Sequence, residues 1–483
     1  MGTHPDQVGE IARERSRALA REAAGRRRRR FARRASRGGG GPGNGPAPGG
    51  RSLWRHADFV RLWSAESVSR FGSQISLLAL PLLAITVLHA STFEVGLLTT
   101  AEFLPFVLVG LPAGVWVDRL RRRPVLIAGD LGRAVALASI PLAHLLGVLG
   151  MPQLYVVGFA TGVLTVFFDV AYMSYLPRLV DADQLIEGNA KLEVSSSGAS
   201  VAGPGLAGVL IQLITAPFAV LVDAASFVVS AAFIGRIRRQ EPAPAPASAG
   251  AGMRREIAEG LRYVLGHPLL RWIAASTGTF NFFSSMLQAV LVVYEVRHFG
   301  MSAGLIGLTM TIGNLGWLGG AMLSGWIGRR VGIGRATIGA IVLGGAGPLL
   351  VALAPLHGPV PWLIAANLLA SFGTTTYNIG QLSVRQAITP ERLHGRMNAS
   401  MRFMVWGTMP IGSAVGGALG QTIGLHPTIW LAAIGSILPL APGIASGIWS
   451  VPSVKAAIAR FLPPPAPVQA ETAGPVGPAG TVR

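Results

Sequence analysis

Long uncharged apolar stretches alternate with short polar connections along most of the chain. A helix that crosses ~30 Å of hydrocarbon needs about 20 consecutive, mostly apolar residues. Stretches of that kind predict spans at 60–88, 92–117, 124–148, 153–177, 190–214 and 217–236, and again at 271–296, 302–328, 335–355, 361–388, 396–423 and 427–449. The expected fold is an all-α membrane protein of twelve transmembrane helices in two six-helix halves. The implied organisation is a basic flexible arm over 1–57, a first half over 58–236, a linker over 237–270, a second half over 271–450 and a flexible tail over 451–483. In the linker, QEPAPAPASAGAG cannot build a core and reads as flexible. MRREIAEGLRYVLGHP sets Ile257, Leu261, Val264 and Leu265 at helical spacing beside Arg254, Arg255 and Arg262, which predicts a short amphipathic helix at the membrane surface.

Charge gives the spans an orientation. Arg119 and Arg121 to Arg123 follow the second span, Arg178 and Lys191 the fourth, and Arg236, Arg238, Arg239, Arg254 and Arg255 the sixth. Arg329, Arg330 and Arg335 follow the eighth, and Arg392 and Arg396 the tenth. The opposite connections (HASTF, GVLGMPQ, TAP, HFGMSAG, PLHGPVP, GLHP) have Arg297 as the one basic residue nearby. The positive-inside rule then puts both termini in the cytoplasm. The halves also echo each other: AGVWVDRLRRRP at 113–124 corresponds to SGWIGRRVGIGR at 324–335, and LVDADQLIEGNA at 179–190 to AITPERLHGRMNA at 387–399. A parallel repeat of two six-helix units is a transporter architecture.

Composition narrows the function classes. Charged residues make up 13% of the chain, against about a quarter in soluble domains. The absence of cysteine excludes disulfides, thiolate metal sites and cysteine nucleophiles. The net charge of +19 is concentrated in the first sixty residues and is almost all arginine, which reads as coding bias before it reads as function. The arm is either a solvated tail or, over 11–35, a basic helix on anionic lipid. It lacks the ~7–15-residue apolar region of a secretory signal, and no nucleic-acid partner is expected of it. There is no G-x-x-x-x-G-K-[ST] phosphate loop, no H-E-x-x-H and no nucleophile–base constellation, so neither an ATP-driven step nor an enzyme activity is expected, and no metal or cofactor.

GVWVDRLRRRPVL at 114–126 resembles the signature loop between helices two and three of the major facilitator superfamily, G-x-L-A-D-R-x-G-R-R-x-x-L, with Gly114, Asp118, Arg119, Arg122, Arg123 and Leu126 matching. Val117 and Arg121 depart from the pattern, at its small residue and its second glycine. The resemblance implies a cytoplasmic gate: Gly114 lets helices approach, and Asp118 pairs with an arginine or a helix N-terminus in one conformation and releases it in the other. SSSGASVAGPGLAGVLI in the fifth span is similar to the Gly-Pro motif of the superfamily's exporters; Gly203, Pro204 and Gly208 match in type and Gly198 is one position off. Ordinary glycine-rich packing is the alternative. SRFGSQISLLALPLLA, IAGDLGRA, YLPRLVDADQLIEGNA and VDAASF resemble the macrolide-efflux and enterobactin-exporter-like branch, and the likeness runs from Asp58 to about Ser450. The drug–proton antiporters of the superfamily often carry an arginine in helix four; the fourth span here has none, which puts their proton scheme in doubt.

An ionisable residue inside the membrane costs at least ~2.5–3.5 kcal/mol on insertion scales and is a functional candidate by default. Glu102, mid-way along the second span, and Asp169, in the inner half of the fourth, are the proton-coupling candidates; the alternative for each is a carboxyl that fixes helix packing. Asp130 and Arg133, three apart on one helical face, read as a local pair joined to the Asp118 cluster, and Glu66 and Arg70 as a similar local pair. Asp223, in the outer part of the sixth span, is within reach of the headgroups, but a structural role is the expectation. Asn281 and Gln288 share a face of the seventh span, Asn314 lies in the eighth and Asn378 in the tenth; with Phe280, Phe282, Phe283, Met286 and Trp317 they are the substrate-cavity candidates, helix–helix hydrogen bonding being the alternative. The expectation is a monomeric exporter of a hydrophobic or amphipathic small molecule (drug-, macrolide- or siderophore-like) in the inner membrane, working by proton antiport with lipid around it. An importer or symporter on the same fold, and a non-transporting receptor or assembly factor, are its rivals.

Overall fold

A computed structural model of the protein describes residues 52–181, 184–239, 241, 253–390 and 393–461. The expectations for the basic arm, for 242–252 and for the tail from 462 lie outside the described residues. The body, Leu53–Arg483, is helical among its described residues. Its first helices are α1 (Ala57–Thr86), α2 (Thr92–Leu108), α3 (Gly110–Asp118), α4 (Arg122–Leu145), α5 (Met151–Leu179), α6 (Leu185–Ile214) and α7 (Ala216–Gly235). After α8 (Met253–Gly266) come α9 (Pro268–Arg297), α10 (Ala303–Val331), α11 (Ile333–Leu353), α12 (Val360–Ala387), α13 (His394–Trp406), α14 (Thr408–Thr422), α15 (Leu425–Gly435), α16 (Leu440–Ala445) and α17 (Val454–Phe461).

Among the described residues nine segments are long and apolar enough to cross a membrane: α1, α4, α5, α6, α7, α9, α10, α11 and the run Leu425–Ala445. Three expected spans are interrupted. The second breaks after Leu108, the eleventh after Trp406 and the twelfth after Gly435. Each break stands four residues before a proline: Pro112, Pro410 and Pro439. A proline has no N–H to give to the carbonyl four residues back, and its ring collides with that carbonyl, so one cause explains all three.

The helices of 57–235 pack chiefly on one another, α1 on α7 and α6, α4 on α7 and α5, α2 on α5. Those of 268–445 do likewise, α12 between α10 and α11, and α9 on α14 and α15. Two seams join these sets, α6 with α10 and α2 with α14. Both are built on glycine: a Cβ on Gly96 would lie 2.5 Å from Gly417 Cα, and one on Gly208 2.5 Å from the Ala303 carbonyl oxygen. Bare backbone is therefore what lets the sets touch. The seams lie towards the arginine-poor end. Arg297 donates to the Ala90 carbonyl at 2.5 Å, Thr100 Oγ1 stands 3.0 Å from Ser413 Oγ, and Asn314 donates to the Ser200 carbonyl at 2.7 Å near mid-helix. The amphipathic segment forms α8, with Val264 fully buried against Leu269, Met397 and Met401 and an ion pair from Glu259 to Arg396. The Ile257 side chain lies outside the described residues.

Of the readings of membrane charges, the structural role of Asp223 holds and one other needs correction. Asp223 does not reach headgroups: it is 1% exposed and accepts hydrogen bonds from Ser76 and, at 3.1 Å, Ser226. The face of α7 that bears it is pressed onto α1 at Gly72. Asp130 and Arg133 are paired at 2.6 Å, but Arg133 turns into the helix bundle and not towards the loop of Asp118. Its guanidinium lies 4.4 Å from the Phe168 ring centre and 4.0 Å from that of Phe227.

Candidate functional site

A cavity of about 320 Å³ lies between the two sets of helices. On one side it is walled by Leu77, Pro81, Leu98, Glu102 and Phe103, on the other by Phe280, Gln288, Glu295, Met310, Asn314, Trp317 and Asn367. Of the residues singled out from sequence, Glu102, Gln288, Asn314, Phe280 and Trp317 meet here. Asn281 and Asn378 are not in its wall: Asn281 donates to the Val405 carbonyl at 3.2 Å, and Asn378 is exposed on α12. Asn314 also ties α10 to α6, so it serves helix joining as well as the wall. Glu102 sits where α2 crosses α5 at two glycines; a Cβ on Gly158 would lie 3.2 Å from Glu102 Cγ. Glu295 was not foreseen. Its place two residues before Arg297 suggests a helix end that reaches water, yet it is 2% exposed. The signal was present, because Asn281, Gln288 and Glu295 stand seven residues apart in sequence and so recur on one helical face.

Asp169 is elsewhere. It lines a second cavity, of about 560 Å³, with Glu66, Arg70, Tyr172 and Glu193 between α1, α5 and α6. Arg70 is 2.6 Å from Glu66 and 3.8 Å from Asp169. The charges of Arg133 and, from the other set of helices, Arg402 also act on Asp169. The arginine missing from the fourth span is thus supplied beside it by α1 and α4. The two proton-coupling candidates occupy two sites: Glu102 has no hydrogen-bond or ionic partner among the described residues, whereas Asp169 is set in a network of charges.

The signature loop is held from an unexpected direction. Asp118 closes α3, and its side chain lies outside the described residues. Gly114 makes no close approach: a Cβ there would meet nothing within 4 Å. Arg119 is exposed. Glu241, in the stretch expected to be a flexible linker, has its side chain 5% exposed and takes the Arg122 backbone N–H at 2.7 Å, the Arg123 N–H at 3.3 Å and the Arg178 guanidinium at 3.2 Å. A carboxylate at the start of α4 satisfies orphan N–H groups and the positive helix end together, while Arg123 donates to the Ile234 and Gly235 carbonyls and closes α7. Glu241→Ala is expected to cost about 1.5–3 kcal/mol, as loss of hydrogen bonds to a charged group does, read as a lower unfolding temperature of the purified protein. In the fifth-span motif, Gly203 faces Gln74 and a Cβ on Gly307 would lie 2.3 Å from the Pro204 carbonyl oxygen, so Gly203, Pro204 and Gly208 are packing positions, while Gly198 faces open space.

A family model, Major Facilitator Superfamily, matches residues 62–409. The multidrug efflux pump Tap of Mycolicibacterium fortuitum is 26% identical over 373 residues, covering 74% of this chain and 88% of Tap. The enterobactin exporter EntS of Escherichia coli O127:H6 is 26% identical over 400 residues, covering 79% and 88%. Among solved structures, a bacterial homologue of the iron transporter ferroportin in its inward-facing state aligns with a TM-score of 0.67 at 17% identity, over 82% of this chain and 99% of that one. Its outward-facing state aligns with a TM-score of 0.54 at 18% identity, over 81% and 99%. With a model match over most of its length, and with a helical body that shares the fold of solved transporters, the chain belongs to the Major Facilitator Superfamily.

Proposed function

We propose that this transporter exports small hydrophobic or amphipathic molecules across the cytoplasmic membrane by proton antiport, as a single chain that alternates access between its two faces. The observation that carries the reading is the cavity between the two sets of helices, joined at one end and holding an unpartnered carboxyl, Glu102, against aromatic walls. Nine apolar segments together with α2–α3, α12 and α13–α14 make twelve crossings, six on each side of the linker. Twelve crossings with the arginines at one end put both termini in the cytoplasm. The joined end is then the outer one, and the conformation faces inward; the higher TM-score with the inward-facing ferroportin homologue supports this. Export follows from the likeness to Tap and EntS, both named as exporters.

Glu102 and Asp169 are the proposed proton carriers. A carboxyl in an apolar site favours its neutral form, so rocking the helices between water and the closed state makes it take up a proton and release it. The signature-loop residues Gly114, Asp118, Arg119, Arg122 and Arg123 form the proposed inner gate, which closes when the seams at the outer end part. Energised cells that carry the protein are expected to accumulate less of a fluorescent dye or antibiotic than cells without it. An uncoupler should abolish the difference, and Asp169→Asn should return accumulation to the level of cells without the protein. Higher accumulation in the presence of the protein would reverse the direction and make it an importer.

A further inference from the structure

We infer that the central cavity is a binding site for an amphipathic organic cation, an ammonium, guanidinium or phosphonium carried on an apolar body, with Glu102 and Glu295 as its two anionic contacts. The inference rests on the transport reading above and goes beyond it by naming the substrate class. Two carboxyls line one cavity, and no lysine, arginine or histidine among the described residues does. Glu295 is 2% exposed. Neither carboxyl has a hydrogen-bond or ionic partner among the described residues, whereas Glu66 is bonded to Arg70, Asp130 to Arg133 and Asp223 to Ser76. A buried acceptor left unmatched is costly, and a buried charge more so unless it is paired. A cationic ligand supplies the missing partner; a neutral or anionic one does not.

The walls say what carries the charge. Phe103, Phe280 and Trp317 line a cavity of about 320 Å³, a size suited to a small organic molecule, and aromatic rings attract cations. A bare metal ion has no use for such walls. It also needs several hard ligands, and no group of three or more His, Cys, Asp or Glu placed to hold an ion occurs among the described residues.

The test is equilibrium dialysis of the purified full-length chain against radiolabelled tetraphenylphosphonium, with uncharged triphenylphosphine oxide as the comparison. Saturable binding of the cation is expected, at least about tenfold tighter than that of the neutral compound. Glu102→Gln and Glu295→Gln should each weaken it about tenfold or more, as loss of one partner of a desolvated charge pair does, while Glu295→Asp keeps most of it. Equal binding of the charged and neutral probes by the unaltered chain would overturn the inference whether or not the variants fold, and so would saturable Mn²⁺ binding in place of the organic cation. Cation binding that needs both glutamates in a chain that moves no dye would leave the site standing and remove the transport reading. Dye export that Glu295→Gln leaves unchanged, with no cation bound, would do the reverse.

Discussion

Oxidation of a Thr100→Cys/Ser413→Cys double variant is expected to stop transport, and a thiol reductant to restore it. The two hydroxyl oxygens stand 3.0 Å apart across the α2–α14 seam. Sulfurs bonded at ~2.05 Å need Cβ atoms about 3.8 Å apart, which side chains already in hydrogen-bond contact can reach with little backbone movement. The background is clean because the chain has no cysteine of its own. Around the pair the seam has no slack: Thr100 also donates to the Gly96 carbonyl at 2.8 Å, and Gly96 lies against Gly417. Alternating access requires this end to open in the other half of the cycle, so a covalent tie here holds the state that we propose faces inward. Each single variant should transport normally, since either hydroxyl has backbone carbonyls to bond on its own helix. Cross-linked protein that still exports at the full rate would mean that this seam never parts, and alternating access would have to be placed elsewhere.

The apolar helices and their order were legible because hydrocarbon imposes a length on each one. The breaks were legible in principle too, since Pro112, Pro410 and Pro439 each stand four residues past one, but a hydropathy window averages over a single missing hydrogen bond. What periodicity cannot supply is the choice of neighbour. Asp169 and Glu102 look alike as lone carboxyls in apolar runs. They part company only because α1 and α4 bring Arg70 and Arg133 to the first, while α2 carries the second into a cavity that no basic side chain among the described residues lines. Glu241 was hidden for the opposite reason. Its Pro- and Ala-rich surroundings read as linker, and nothing local announces that the N–H groups of Arg122 and Arg123 meet it. Gly114 shows the limit of motif matching: the signature suggests close packing at this glycine, and a Cβ there would meet nothing within 4 Å.

Arg133→Leu is expected to be the most destabilising single substitution among the membrane charges. Arg133 is 4% exposed and Asp130 fully buried, and their 2.6 Å contact lies between the rings of Phe168 and Phe227. The charge of Arg133 also acts on Glu66, Asp169 and Asp223, so one guanidinium serves carboxyls from α1, α4, α5 and α7. Removing it leaves Asp130 buried with an unmatched charge, for which the usual cost is about 3–5 kcal/mol. Thermal unfolding of the purified protein should show it, with poorer recovery from the membrane. Replacing both partners, Arg133→Leu with Asp130→Leu, should recover much of that loss, because an apolar pair of similar volume carries no unpaired charge. The double-mutant cycle then measures the coupling directly. If Asp130→Leu alone were as damaging as Arg133→Leu and the double variant no better than either, the pair would not act as a unit. Arg133 would then owe its place to the two aromatic rings and to the more distant carboxyls, and Asp130 would be a separate buried acid.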